Sequence, residues 1–162
     1  MSTLFAIAIT TGILSGIWGW LSISLGLLSW AGFLGCTTYF ASPVEGVKGL
    51  GLSMLTNMSG VLWAIAIIKL SSVFSLEILG YVVTALVSFF MCIQAKVRWL
   101  NFIPGTFIGS CALFAADGNW ALVVPSLLLG ALFGYFMKAS GLWLHSLSGN
   151  LFSGSAINNF DV

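Results

Sequence analysis

Long apolar runs separated by short polar breaks make up most of the chain. A helix that crosses the roughly 30 Å hydrocarbon core of a bilayer needs about 20 apolar residues. The pattern therefore predicts an all-α polytopic membrane protein with six transmembrane helices. The six runs lie at about 4–21, 25–42, 49–68, 77–95, 102–116 and 120–138. They form a single membrane domain over residues 1–139, and we interpret residues 140–162 as an interfacial or flexible C-terminal tail.

The positive charges lie in the polar breaks, and their distribution predicts the orientation. Cytoplasmic segments of membrane proteins carry an excess of Lys and Arg. If the N-terminus is cytoplasmic, only Lys69 falls on the outer side. The cations on the cytoplasmic side are then Lys48, Lys96, Arg98 and Lys138. We therefore expect both termini to be cytoplasmic.

The composition excludes a soluble fold and several kinds of partner. Of the 162 residues, 59% are apolar and 6% are charged, whereas a soluble domain has about 25% charged residues. The net charge of +1 indicates no nucleic-acid partner. Cys36, Cys92 and Cys111 all lie inside apolar runs and form no CxxC pair. They are typical of small apolar helix residues and not of disulfides or a metal site.

An internal repeat becomes visible when the sequence is shifted against itself without gaps. At the shift that brings position 33 onto position 107, the segment 33–42 falls on 107–116. The matched pairs include Phe33 with Phe107, Gly35 with Gly109, Phe40 with Phe114 and Gly60 with Gly134. The chain is thus predicted to consist of two three-helix halves, at about 4–68 and 77–138. Since each half has an odd number of helices, the second half enters from the opposite side, which predicts an inverted repeat.

Small residues recur at helical spacing in several runs. Glycines four positions apart lie on one helix face and let two backbones approach closely. The glycines predicted to serve helix packing are Gly12, Gly16, Gly35, Gly105, Gly109, Gly130 and Gly134. Close packing inside a bundle is one interpretation of these faces, and the lining of a narrow passage is the other.

The interior of every run lacks charged side chains. Coupled transporters usually keep an ionisable residue at membrane depth, so the pattern argues against a proton relay, a voltage sensor and a coupled antiporter. Weakly polar side chains remain as candidates for lining a pore or contacting a substrate. They are Asn57, Thr37, Thr38, Thr106, Ser110 and Ser126. Asn57 is the strongest of them, because an amide in hydrocarbon must hydrogen-bond, either to a neighbouring helix or to a solute and water.

Catalytic patterns are missing from the sequence. The single histidine, His145, lies in the tail, and Asp117 lies in a turn. No constellation of nucleophile, base or metal ligands converges on one place. We therefore predict that the protein is not an enzyme and uses neither a cofactor nor a metal.

Five segments carry a resemblance to a known family. They are AIAITTGILSGIWGW (6–20), LSWAGFLGCTTYFA (28–41), LEILGYV (76–82), MCIQAK (91–96) and PGTFIGSCALFA (104–115). Together they resemble the YcdZ-type family of small bacterial inner-membrane proteins, a domain of unknown function, over about residues 4–144. The resemblance implies a bacterial inner membrane and six helices, and it implies no activity and no functional residues.

Two functions remain in view from the sequence. The first is a homo-oligomeric inner-membrane channel or facilitator that passes small, mostly uncharged solutes, with the lipid bilayer as its surroundings. The alternative is a non-transporting structural or accessory membrane protein that binds a partner complex. A continuous path along the polar helix residues would favour the first function, and dry packing of those side chains would count against it.

Overall fold

The computed structural model describes residues 2–73 and 77–157, and of residues 73, 77 and 149–157 it describes the backbone alone. This part of the chain is helical and contains no strand. The six α-helices are α1 (Thr3–Ser24), α2 (Ser29–Phe40), α3 (Gly46–Val73), α4 (Glu77–Ile93), α5 (Ile103–Ala115) and α6 (Trp120–Ile157). Two short 3-10 turns, Gln94–Lys96 and Arg98–Leu100, connect α4 to α5.

Four of these helices are long and apolar enough to cross a membrane. Their candidate spans are Thr3–Ser24, Gly46–Ser72, Ile78–Lys96 and Trp120–Ser148. Helices α2 and α5 have only 12 and 13 residues. At a rise of 1.5 Å per residue they measure about 18 and 20 Å, less than the roughly 30 Å core of a bilayer. By length, the structure therefore has four spans and two short helices where the sequence predicted six spans.

The second predicted run is shortened by an apolar turn. Helix α1 ends in a glycine C-cap, in which Gly26 has a φ of +66°. The Leu27 N–H donates to the Ser22 carbonyl at 2.8 Å, and these two features form the Schellman motif. Residues 25–28 are therefore a turn, although three of the four are leucines. Hydropathy alone counts such a turn as part of a span.

Helices extend into two segments that the sequence placed outside the predicted helices, the break between the two halves and the C-terminal tail. Helix α3 continues to Val73 and α4 begins at Glu77, while residues 74–76 of the predicted break lie outside the described residues. Helix α6 continues past the predicted end at 138 as far as Ile157. Residues 140–157 of the predicted tail are thus helical, and residues 158–162 lie outside the described part.

Helix α2 packs along α6 in a parallel orientation, a contact we call the first seam. Near its beginning, the Leu28 N–H donates to Ser126 Oγ at 3.0 Å. Near its end, the rings of Tyr39 and Tyr135 lie 5.9 Å apart. A methyl group placed on Gly35 would overlap the carbonyl oxygen of Leu127. The two backbones are therefore in direct contact.

Helix α5 packs along α3 in the same way, a contact we call the second seam. A methyl group on Gly109 would overlap the carbonyl oxygen of Asn57, and one on Gly60 would overlap that of Thr106. Gly105 lies against the Thr56 side chain in the same manner. Both short helices are thus held by glycine-mediated backbone contact with a long one.

Helices α1 and α4 lie on the outside of this inner group. Thr10 Oγ1 of α1 donates to the Met137 carbonyl of α6 at 2.8 Å, while Trp18 contacts Phe133, so α1 is antiparallel to α6. Helix α4 is likewise antiparallel to α3, because Gly80 near its beginning lies against Ser71 near the end of α3, while Gln94, just past its end, bonds Trp63 earlier in α3. Consecutive helices therefore alternate in direction through the bundle.

The two halves begin their helices at a constant separation. Helices α1, α2 and α3 begin at positions 3, 29 and 46, and helices α4, α5 and α6 begin at positions 77, 103 and 120. The offset is the same for all three pairs, and it equals the shift that brings position 33 onto position 107. By this offset α2 corresponds to α5 and α3 corresponds to α6, so the first seam corresponds to the second.

Charged residues gather at one end of the bundle. Lys138 of α6 forms an ion pair with Glu45, which directly precedes α3, at 2.7 Å. Lys48 and Arg98 line one groove at the same end, where α3 begins and the α4–α5 connection passes. Lys69 lies at the opposite end, in a groove with Trp120.

Candidate functional site

Most of the predicted polar residues lie in the buried interior between the inner helices. Asn57, Thr38, Thr106 and Ser126 are completely inaccessible to solvent, and Ser110 is 4% exposed. None of the buried polar side chains in the described part of the chain is charged. The candidate site is therefore a neutral interior whose buried polar side chains are hydroxyls and one amide.

Thr37 does not belong to this interior. It is exposed on the outer surface, and its Oγ1 donates to the Phe33 carbonyl one turn earlier at 2.9 Å. It borders a surface cavity of about 270 Å³ together with Thr11 and Ser15 of α1. The sequence placed Thr37 and Thr38 together as candidates, but adjacent residues on a helix point about 100° apart, and only Thr38 points inward.

Asn57 is the centre of the first polar group. Thr38 Oγ1 lies 3.0 Å from Asn57 Oδ1 and also 3.0 Å from the Leu34 carbonyl, so one hydroxyl proton serves two acceptors. Asn57 Nδ2 is buried and has no hydrogen-bond partner among the described residues. An unsatisfied buried donor costs about 1–3 kcal/mol. The interior at α3 therefore offers a free N–H donor with no charge beside it.

The hydroxyl groups of Ser53 and Thr56, near Asn57 on α3, donate hydrogen bonds to backbone carbonyls. Ser53 Oγ donates to the Gly49 carbonyl at 2.8 Å. Thr56 Oγ1 donates to the Leu52 carbonyl at 2.8 Å. Such bonds within a helix use the single hydroxyl proton and leave only oxygen lone pairs. Asn57 is consequently the one residue of this group with an unused donor.

Gln94 is the centre of a second polar group. Its Oε1 accepts from Ser59 Oγ at 2.7 Å and from Trp63 Nε1 at 2.8 Å. Its Nε2 lies 2.9 Å from Thr106 Oγ1, to which it donates. One amide thus joins α3, the α4–α5 connection and α5.

The sequence analysis did not select Gln94 as a site residue. It stands directly after the apolar run of α4 and shortly before Lys96 and Arg98, where it is typical of an interfacial residue. The available signal was a second amide, besides Asn57, at the end of a span. Only the packing of α4 against α3 shows that it turns inward.

Ser126 and Ser110 lie at the contacts between helices in the first and second seams, respectively. Ser126 Oγ donates to the Leu122 carbonyl at 2.7 Å and accepts the Leu28 N–H, which would otherwise be unsatisfied at the beginning of α2. Ser110 lies where Gly60 meets α5. Both residues were predicted as pore-lining candidates, and the structure places both at helix contacts.

The predicted packing glycines fall into two groups. Gly35, Gly105, Gly109, Gly130 and Gly134 all lie where an added methyl group would meet a neighbouring helix. Gly12 and Gly16 have open space at the same position in the described part of the structure. The spacing of glycines in the sequence does not distinguish these two situations.

The charged side chains of the described residues lie outside this interior. Among the described residues, no group of three His, Cys, Asp or Glu side chains could hold a metal. Lys138 lowers the pKa of the Glu45 carboxyl below its ordinary value by hydrogen bonding to it and by its charge. This pair lies at the end of the bundle and not among the buried amides.

Comparison with known proteins agrees with the resemblance seen in the sequence. The family model described as "Protein of unknown function (DUF1097)" matches residues 8–142. The chain belongs to this family. It is 64% identical over 149 residues to "Inner membrane protein YcdZ" of Escherichia coli K12, covering 91% of each chain. The protein of the same name from Salmonella typhimurium LT2 is 63% identical over 147 residues, covering 90% of this chain and 92% of the relative.

A more distant relative and the absence of a structural match complete the comparison. "Uncharacterized protein YahC" of Escherichia coli K12 is 30% identical over 153 residues, covering 87% of this chain and 92% of that protein. No solved structure matches the chain. The sequence prediction of a YcdZ-type family is confirmed. The chain is a membrane protein of a family of unknown function, and its apolar helices and the names of its relatives support a bacterial inner-membrane location.

Proposed function

We propose that the protein is a non-enzymatic facilitator that passes small, mostly uncharged solutes through the inner membrane as a homo-oligomer. The observation that carries the proposal is the pair of short helices. Helices α2 and α5 occupy corresponding positions in the two halves, and each is too short to span the bilayer. Paired short hydrophobic segments in two halves mark the binding site in many transporter folds.

The proposal includes an inverted relation between the halves. The alternating helix directions give α1–α3 one sense and α4–α6 the opposite sense. A pseudo-two-fold axis in the membrane plane would relate halves of this kind. Such an axis brings the two seams together in the centre, where α2 and α5 are also in contact.

The interior chemistry favours a neutral solute that accepts hydrogen bonds. An ion entering this interior would meet no buried counter-charge among the described residues, and a bare charge in hydrocarbon is costly. Asn57 Nδ2 is a donor without an acceptor. A carbonyl, a hydroxyl or a water molecule could satisfy it, and we assign this role to Asn57 with Thr38 beside it. The described conformation buries both side chains completely, so it represents a closed state in this proposal.

We also propose the orientation and the self-association surface predicted from the sequence. The end of the bundle that holds Lys48, Arg98 and Lys138 is assigned to the cytoplasm, which places both termini there. On α1, Gly12 and Gly16 face open space beside the exposed Ile13 and Ile17. A second copy could pack closely on this surface. Reporter fusions at each terminus and cross-linking through α1 test these two assignments.

Solute flux into liposomes tests the main proposal. Purified protein is reconstituted and screened with urea, glycerol, ammonia and short-chain acids against empty liposomes. We expect flux above the control for at least one uncharged solute. Thr38→Val removes the hydroxyl that contacts Asn57 and is expected to change this flux. Thr37→Val makes the same chemical change on the outer surface and should leave it unaltered. Flux equal to empty liposomes for every solute would contradict a role in their transport.

A second function has its own support in the structure. Both seams are closed by backbone contact, and most interior hydroxyls are bonded to carbonyls. This close packing favours a structural or accessory membrane protein that binds a partner complex. A reconstituted protein that passes no solute, but is recovered with one defined membrane partner after mild solubilisation, would support this function over the facilitator.

A further inference from the structure

A groove at the charged end of the bundle combines two cations with an apolar floor. It has a volume of about 530 Å³ and lies between the beginning of α3 and the 3-10 turn Arg98–Leu100. Lys48 and Arg98 both line it, together with Leu52, Leu55 and Trp99. Neither cation takes part in an ion pair with any residue that the structure describes. The groove is separate from the buried interior around Asn57.

The positions of the two cations favour an anion between them. Lys48 lies in the first turn of α3, a turn that contains no acidic residue. The beginning of a helix carries a partial positive charge, which disfavours a lysine there, and the carboxylate of the preceding Glu45 is already paired with Lys138. Arg98 approaches from a different element, the α4–α5 connection. An oxyanion in the groove would be bound by two cations from two different elements.

The rest of the groove is lined by apolar side chains, which would contact an apolar part of the ligand. Leu55 is 47% exposed, and Trp99 is 70% exposed. Tryptophan is enriched at the level of the lipid headgroups, which fits the presence of Trp99 in the same groove as the two cations. A free phosphate would leave these apolar surfaces uncovered. A phospholipid would place its phosphate on the cations and an acyl chain along α3.

We propose that this groove binds an anionic phospholipid, with the headgroup phosphate on Lys48 and Arg98 and an acyl chain along Leu52 and Leu55. Basic pockets between membrane helices on the cytoplasmic side bind headgroups of this kind. The groove at the opposite end, of about 470 Å³, contains Trp120 but only one cation, Lys69. It therefore provides a matched internal control.

Native mass spectrometry of the purified full-length protein tests the preference. Phosphatidylglycerol, cardiolipin and phosphatidylcholine are offered at equal concentrations in detergent, and the lipids that remain bound are counted. The two anionic lipids should be retained at least about fivefold over phosphatidylcholine, since each surface cation contributes roughly this factor. Equal retention of anionic and zwitterionic lipid by the wild-type protein would overturn the proposal, whether or not any variant folds.

Three matched substitutions locate the site. Lys48→Gln and Arg98→Gln should each lower phosphatidylglycerol retention by about fivefold, while Lys69→Gln should leave it unchanged. Loss of retention in Lys69→Gln that equals the loss in the other two would overturn the assignment to this groove.

Glycerol 3-phosphate is offered in a separate experiment, which distinguishes a lipid from a soluble phosphate. If it binds with the same dependence on Lys48 and Arg98 and phosphatidylglycerol does not displace it, the ligand is a soluble phosphate and the lipid proposal is wrong.

Discussion

The first and second seams have the same backbone arrangement, but different side chains close them. At the first seam, the Trp18 indole of α1 lies against Gly32 of α2. Its Nε1 donates to the Ser29 carbonyl at 3.0 Å, and its ring lies 5.3 Å from that of Phe133. The result is a closure that is mainly aromatic.

At the second seam, polar residues occupy the corresponding places. When the two halves are aligned by the internal repeat, Gly32 corresponds to Thr106, and Phe133 corresponds to Ser59. The side chains of Thr106 and Ser59 both hydrogen-bond Gln94. Where the first seam has an indole and a phenyl ring, the second seam therefore has an amide and two hydroxyls.

From this difference we expect the two seams to have separate tasks. The shared glycine contacts set the backbone geometry at both seams. The free donor of Asn57 and the Gln94 group both involve α3, which belongs to the second seam. If the protein passes a solute, we expect the chemistry of recognition to depend on the second seam and the first seam to act mainly as its scaffold.

The largest effect is expected from substitutions that disrupt the backbone contacts of the seams. Gly35→Ala and Gly109→Ala each place a methyl group on a backbone carbonyl, and overpacking of this kind costs about 1–3 kcal/mol or more. Gly51→Ala in α3, which has open space where the methyl group is added, is the control. Thermal unfolding in detergent should show similar losses for the two seam variants and no loss for the control. A tolerated change at one seam alone would show that the seams are not equivalent in their backbones.

The next effect concerns the polar closure of the second seam. Gln94→Leu leaves Trp63 Nε1 and Ser59 Oγ without their acceptor, which should lower the free energy of unfolding by about 1–3 kcal/mol. Asn101→Leu removes an amide that is exposed and should change it little. Equal stability of the two variants by denaturant titration would mean that the Gln94 group contributes nothing to closure.

A smaller effect is expected from exchanging one residue between the seams. Cys36 Sγ donates to the Gly130 carbonyl at 3.0 Å in the first seam, and Ser110 stands at the corresponding position of the second. Cys36→Ser should retain the hydrogen bond and change the free energy of unfolding by less than about 1 kcal/mol. A loss as large as that of Gly35→Ala would contradict the structural equivalence of these positions.

The sequence predicted the parts of this fold that follow from periodic signals. Apolar runs predicted the number of helices, and the shift that aligns the sequence with itself matches the separation at which the helices begin. The short α5 matches its predicted run, but the length of α2 could not be predicted, because leucines at 25, 27 and 28 fill a turn. Hydropathy measures transfer into hydrocarbon and does not report the φ of +66° at Gly26 that ends α1.

The candidate site was predicted in part, for a similar reason. Asn57, Thr38 and Thr106 are buried as expected for interior polar residues. Thr37 and Thr38 are adjacent residues of the same type, so the sequence does not show which of them points inward. Gln94 lies close to Lys96 and Arg98 and therefore has the sequence context of an interfacial residue. Which face of a helix turns inward depends on its neighbours, and long-range packing is not encoded in a local pattern. The weak amphipathicity of apolar membrane helices removes the signal that soluble helices provide.

The smallest effect belongs to the charged end, away from both seams. Lys138 lowers the folded-state pKa of Glu45, so this pair stabilises the fold above the ordinary pKa of the carboxyl. The contribution is lost as the pH falls through the lowered pKa. Glu45→Gln should remove this part of the pH dependence between neutral and acidic pH, and it should have little effect on stability at neutral pH because exposed pairs are weak. Melting curves of both proteins across this range check the prediction.

The most direct test of the proposed function combines flux and stability in one variant, Asn57→Leu. Leucine has the same branching and the same number of side-chain heavy atoms as asparagine but is bulkier, and it removes the unpaired Nδ2 donor, while Thr38 keeps the Leu34 carbonyl as an acceptor. The facilitator account predicts that the variant folds, because removal of an unpaired buried donor offsets the cost of the larger side chain, and that it loses the solute flux that the wild type shows in liposomes. A folded Asn57→Leu protein with undiminished flux would contradict it.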